Sequence, residues 1–178
     1  DIEIRFRHPR SNARCRLDWA VPNDKMPDAQ RLMERAVNDG TKIFIIQSAD
    51  EWSEFIAVNS KAVFKDKFFV GTNWLGGVMF NKPHDIFKEL PVGNALNWPY
   101  QALIHTGVER MGLVMEGEEL LVGAYHTYPM AIGTAMGIVP MGKGSVLFST
   151  LDIYGNIIND SAAGLVAKKL IFNMIDFK

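Results

Sequence analysis

The chain has little cysteine, almost no net charge and no long apolar run. Cys15 is the one cysteine among 178 residues, which excludes an intramolecular disulfide and a metal cage of several thiolates. The formal net charge of −1 gives no overall attraction for polyanions, so we expect no nucleic-acid partner. No stretch approaches the ~20 apolar residues that cross a bilayer, so we expect no membrane partner.

Motifs of metal and nucleophilic chemistry are also missing. No two histidines stand at a ligand spacing, so we predict no metal and no cofactor; the histidines are His8, His84, His105 and His126. A catalytic Ser or Cys on an α/β sheet needs a sharp, glycine-flanked turn, and Cys15 in A-R-C-R-L-D has none. We therefore interpret Cys15 as a structural thiol. His84, in P-H-D, is interpreted as bonding the start of its own helix.

The segment Gly137 to Lys143 fills the first seven positions of a phosphate-binding loop. The eighth position, where a Ser or Thr hydroxyl should hold magnesium, is Gly144. The residues that follow form a predicted strand, whereas phosphate would be bound by the N-terminus of a helix. A turn between two strands is the better interpretation.

Two groups of residues are candidates for cleaving or binding carbohydrates. A glycosidase needs two carboxylates across the sugar, and the acidic cluster consists of Glu116, Glu118 and Glu119. Three acids around a glycine more often form a solvated turn, and this is the favoured interpretation of the cluster. Flat aromatic rings can stack on pyranose rings, and the candidates for sugar stacking or for an interface are Trp74, Trp98 and Tyr100. A role in the core or in an interface is the favoured interpretation of all three aromatics.

Hydrophobic periodicity predicts strands that alternate with helices. A helix is expected from Pro27 to Asp39 with Gly40 as its stop, followed by a buried central strand, KIFIIQ. Ser48 and Glu51 suggest a capping box at the next helix, and Asn159 or Asp160 is expected to cap the last helix. Residues 1–20 suggest an edge strand or linker. We predict one α/β domain over residues 1–178, with three layers and a mostly parallel central sheet.

The end of the chain resembles a known family. The segment GKGSVLFSTLDI, followed by Val166-Ala167-x-x-Leu170-x-x-Asn173, is similar to the end of the glutamine-amidotransferase-like (flavodoxin-like) domain of many bacterial family-two glycoside hydrolases, the β-galactosidase and β-glucuronidase relatives. PHDIFKELPVGNALNWPYQALI is similar to a central stretch of those domains. The resemblance covers roughly residues 40–178. Gly164 and Leu165 stand where the family often has Asp-Pro.

The resemblance implies a domain that kept the class I amidotransferase-like architecture without its Cys-His-Glu triad. It implies a non-catalytic accessory domain of a multidomain glycoside hydrolase, periplasmic or extracellular, that packs against other domains of the parent chain or a second subunit. The start at Asp1, without an initiator Met, agrees with a fragment of a longer chain. The alternatives are a carbohydrate-binding module and a stand-alone hydrolase with a site around Ser48, His84 or His126.

Overall fold

The computed structural model describes most of the chain. The described residues are 2–3, 26–70, 77–93, 95–96, 99–105, 111–127 and 130–177. Outside these ranges lie Cys15, Trp74, Trp98 and the predicted continuation of the first strand.

The described residues form helices and strands of one sheet. The helices are α1 (Met26–Asp39), α2 (Ala49–Val58), α3 (Gln101–His105), α4 (Ile153–Ile157) and α5 (Ala162–Asp176). The strands are β1 (Ile2–Glu3), β2 (Lys42–Ile45), β3 (Val63–Phe69), β4 (Gly77–Asn81), β5 (Met111–Glu116), β6 (Glu119–Thr127), β7 (Met130–Met141) and β8 (Gly144–Ser149).

The first helix and the strand after it were predicted correctly. Helix α1 ends at Asp39, and Gly40 has a φ of 78°, the left-handed conformation expected of a helix stop. Strand β2 is parallel to β1 on one side and to β8 on the other, so it is internal to the described sheet. Its side chains alternate between two groups of buried residues: Ile43 and Ile45 belong to one, and Phe44 packs against the other. Both faces of β2 are therefore covered.

The predicted fold class was wrong, because the sheet is mixed rather than mostly parallel. Only β1–β2 and β2–β8 are parallel among the described strand pairs. The pairs β3–β5, β4–β6, β5–β7, β6–β7 and β7–β8 are antiparallel. For β6–β7 and β7–β8 the connections explain the direction, since strands joined by only two residues can only return antiparallel. The molecule is therefore not a mostly parallel, three-layer flavodoxin-like or class I amidotransferase-like domain.

Strand β7 joins the two parts of the sheet. One of its edges pairs with β6, from Met130 to Ile138. Its other edge is shared, because β8 pairs with it from Met136 to Met141 and β5 pairs with it at Thr134. Thr150 lies where β8 ends, and its hydroxyl donates to Met111 O at 2.8 Å or Ala135 O at 3.2 Å. This hydroxyl therefore links β5 and β7 at the point where β8 leaves the sheet.

The turn between β7 and β8 confirms the interpretation of the phosphate-loop-like segment. Met141 and Gly144 are paired, so Gly142 and Lys143 form a two-residue hairpin turn. The backbone N–H of Lys143 donates to Val37 O at 3.0 Å. The turn thus satisfies a carbonyl in the last turn of α1, where intrahelical partners are missing.

Helix α5 packs on the side of the sheet opposite α1 and α2. The buried stripe consists of Ala163, Val166, Ala167, Leu170, Ile171 and Met174. The expected cap was wrong, because the hydroxyl of Ser161, rather than Asn159 or Asp160, accepts from the N–H of Gly164 at 3.2 Å. The helix that His84 was expected to begin is only a 3₁₀ turn over Asp85–Phe87.

Candidate functional site

Ser48 occupies the position between β2 and α2 at which a nucleophile would stand, but its geometry differs from the predicted cap. Its φ and ψ are 53° and 37°, and its side chain makes no capping hydrogen bond. The N–H of Glu51 donates instead to the backbone O of Ser48 at 3.1 Å. A capping-box serine needs extended backbone, so the left-handed conformation explains why the predicted capping box was wrong.

His84 caps the 3₁₀ turn, as interpreted from the sequence. Its Nδ1 accepts from the N–H of Ile86 at 3.2 Å, which leaves Nε2 as the protonated nitrogen of the neutral ring. Nε2 lies 3.8 Å from Glu119 Oε1. The ring lies 4.9 Å from the ring of Phe177, whose backbone O accepts from Lys42 Nζ at 2.5 Å. His84 is thus placed near the beginning of β2.

The three polar residues of the hydrolase alternative do not meet. Ser48 lies beyond the C-terminal end of β2, whereas the His84 contact is near Lys42 at the other end, about 10 Å away along the strand. His126 pairs with Ala131, whereas Glu119, the neighbour of His84, pairs with Ile138 at the other end of β6. Three strand spacings, about 14 Å, separate β6 from β2. A nucleophile and its base must come within ~3 Å of each other, so these residues form no catalytic set.

The acidic cluster also divides among separate partners. Glu116 forms an ion pair with Lys65 on β3. Glu118 Oε1 accepts from the hydroxyl of Thr134 at 2.6 Å. Glu119 Oε1 lies 3.5 Å from Lys82 Nζ. Each carboxylate therefore has its own partner, and the three do not face one another across a shared space as a glycosidase pair would.

Tyr100 is the one candidate sugar-stacking residue that the structure describes. Its side chain is 2% exposed, and its ring packs edge-to-face against Phe87. The hydroxyl donates to Pro91 O at 2.7 Å and accepts from Asn81 Nδ2 at 3.3 Å. This burial favours the core interpretation of Tyr100, because neither face of the ring is open to a ligand.

Replacing Tyr100 with phenylalanine should remove a pH-dependent part of the stability. Burial raises the pKa of the Tyr100 hydroxyl to about 12, whereas a tyrosine in the unfolded chain ionises near 10. The unfolded state therefore loses this proton first, and stability falls as the pH rises from about 10 to 12. We expect the variant to lose about 1 kcal/mol at neutral pH through the missing hydrogen bonds. Urea unfolding between pH 7 and 11 should show a shallower alkaline decline in the variant, and parallel pH curves would contradict the assignment.

A surface that sequence analysis missed lies on β4, β6 and β7. Direct cross-strand partners share a face, and Val78, Tyr125 and Ile132 form one such row. Val78 and Phe80 are exposed, Ile132 is 65% exposed and Met130 is 78% exposed. We call Val78, Phe80, Met130 and Ile132 the outer sheet face. The signal in the sequence was that GVMF and MAI have apolar residues at consecutive positions, and therefore on both faces of their strands.

The outer sheet face lies on the side of the sheet that carries α2. Phe80, Gly123, Thr134, Leu113 and Lys67 form one cross-strand row. Lys67 Nζ bonds Asp50 of α2 at 2.6 Å, and Leu113 is buried with residues of α1 and α2. The helices thus cover one part of this face and leave the part on β4, β6 and the beginning of β7 exposed.

No metal-ligand cluster of three or more His, Cys, Asp or Glu side chains occurs among the residues that the structure describes. Within the same residues, no helix is both long and apolar enough to cross a bilayer. Comparison with protein-family models, curated proteins and solved structures gives no match. The resemblance to the family-two glycoside hydrolase domain therefore stays a prediction.

Proposed function

We propose that this chain is a non-catalytic accessory domain of a multidomain glycoside hydrolase, which buries surface against another domain of the parent chain or a second subunit. The outer sheet face carries the proposal. Contiguous exposed apolar patches on soluble proteins mark protein contacts more often than scattered apolar residues do. The divergence of Ser48, His84 and His126 supports a role without catalysis.

The composition of the outer sheet face favours a protein over a sugar as its partner. Sugars are bound by flat aromatic rings with polar groups beside them. Here Met130, Ile132 and Val78 are aliphatic, and the ring of Phe80 lies across Gly123 at the place where a Cβ would sit. A branched aliphatic surface is suited to interdigitation with side chains of another protein.

Methionine oxidation tests whether the outer sheet face is buried in the parent protein. Met130 is exposed, while Met136 and Met141 of the same strand are buried and serve as internal controls. With dilute hydrogen peroxide and low protein concentration, we expect Met130 to oxidise first in the 178-residue chain, because susceptibility follows exposure. In a longer polypeptide that includes these residues, Met130 should oxidise almost as slowly as Met136. Equal Met130 rates in the two proteins would overturn the proposal.

The second arm of this experiment is enzymatic. The 178-residue chain is assayed against aryl glycosides and glutamine, and no turnover above the buffer rate is expected. Turnover that a single replacement of Ser48, His84 or His126 abolishes would show a catalytic site, and the accessory role would then be wrong.

A further inference from the structure

Besides the outer sheet face, the described residues form another exposed apolar surface, on the side of α5 opposite its buried stripe. Leu165 is 67% exposed and Phe172 is 64% exposed. Lys168 and Lys169 lie between them at the three- and four-residue spacings that share one side of a helix. These four residues, which we call the α5 stripe, are apolar at both ends and basic in the middle.

The dimensions of the α5 stripe match those of the outer sheet face. Leu165 and Phe172 are seven residues apart, about 10.5 Å along the helix axis. Strands β4 and β7 are separated by two strand spacings, about 10 Å, across β6. One helix can therefore place an apolar side chain over each side of the outer sheet face.

The charges of the two surfaces are also complementary. The carboxylate of Glu118 is held by Thr134, which lies in the same cross-strand row as Phe80. The α5 stripe brings two lysines, whose present partners are the exposed carboxylates of Asp160 and Glu89. A contact between two outer sheet faces would lack this pairing, because it brings one Glu118 carboxylate from each copy and neither lysine of the α5 stripe.

We infer that the outer sheet face binds the α5 stripe of a second copy of this chain. The incoming helix lies beside α2 and extends the helix layer over the uncovered strands. The inference rests on the proposed function, since it identifies the second subunit as another copy of the same chain. The contact is heterologous, because the two copies contribute different surfaces.

Analytical ultracentrifugation over a concentration series tests this contact. We expect the 178-residue chain to associate reversibly, and Ile132→Glu and Phe172→Glu each to weaken association at least 30-fold, as for the loss of a hot-spot residue. Both side chains are exposed, so circular dichroism and urea unfolding should show little loss of stability. Val58→Glu is the matched control, because Val58 is exposed at the end of α2, outside both surfaces.

Mixing Ile132→Glu with Phe172→Glu distinguishes a contact between different surfaces from a contact between identical surfaces. Phe172→Glu retains an intact outer sheet face and Ile132→Glu retains an intact α5 stripe, so an equimolar mixture should form a complex although each variant alone does not. A wild-type chain that stays monomeric at millimolar concentration overturns the inference. So does a mixture that stays monomeric, which would indicate a contact of identical surfaces. Neither result affects the oxidation and turnover experiments, which test the accessory role separately.

Discussion

Gly144→Ala is expected to destabilise the protein by roughly 3 kcal/mol or to prevent folding. A Cβ at Gly144 would lie nearer than 3.0 Å to the carbonyl oxygens of both Thr41 and Ala36. These oxygens belong to the backbone of α1 and its connection to β2, so no side-chain rotation can relieve the overlap. Either the hairpin turn or the C-terminal end of α1 has to move, and the hydrogen bond from Lys143 N–H to Val37 O would be lost with it.

The effect of Gly144→Ala is measured by urea unfolding followed by circular dichroism, with Lys143→Ala as control. Lys143 is the exposed neighbour in the same turn, and its replacement should change the free energy of unfolding by no more than about 0.5 kcal/mol. Equal urea midpoints for Gly144→Ala and Lys143→Ala would mean that the close contact between the turn and α1 does not require a glycine at position 144.

Asn173→Leu should cost about 2 to 3 kcal/mol of stability, because it leaves two carbonyl oxygens without their donor. The Asn173 side chain is buried in α5, and its Nδ2 donates to Ile86 O and to Lys88 O, each at 2.9 Å. These bonds hold the 3₁₀ turn after β4 against the last helix. Leucine has a similar volume, so the loss reports mainly on the hydrogen bonds.

Asn173→Asp removes the hydrogen-bond donor but keeps the shape of the side chain, so it tests the two contributions separately. The carboxylate keeps the outline of the amide but places an acceptor against two acceptors, so it should destabilise at least as much as leucine. Thermal unfolding of the three proteins gives the comparison. An aspartate variant as stable as the wild type would show that the Nδ2 bonds contribute nothing.

Local elements could be predicted because local residues determine them. The apolar spacing from Leu32 to Ala36 and the stop at Gly40 are contained in one segment, and so is the stripe of α5. The caps were predicted less well, because a cap depends on the backbone conformation of one residue. Ser48 and Ser161 show this: Ser48 adopts a left-handed conformation and forms no side-chain cap, whereas the extended Ser161 does.

The direction of the strands was the main error, although the sequence contained the relevant signal. Gly142 and Lys143 join β7 to β8, and β6 ends at Thr127 only three positions before β7 begins at Met130; connections this short require antiparallel neighbours. The alternation of strands and helices in the first third of the chain outweighed these turns in the prediction. Pairing partners distant in the sequence, such as β3 with β5, leave no comparable local signal.

The candidate surfaces were beyond sequence analysis for a different reason. Whether Ile132 or Phe172 is exposed depends on which elements cover the strand or helix that carries it. Tyr100 shows the opposite case, since its hydroxyl and flat ring suggested a ligand contact and the fold placed both in the core. Exposure is a property of the assembled layers, and the pattern of one segment does not determine it.

The position of β2 between β1 and β8 has a consequence for the order in which the chain can fold during synthesis. Strand β2 is complete at residue 45, but its described neighbours are β1 and β8, and β8 ends only at residue 149. Translation adds ~5–20 residues per second, so the nascent chain waits several seconds or more with that edge of β2 unpaired. An unpaired edge is a template for association with other chains, so the nascent chain is most prone to aggregation between those two points.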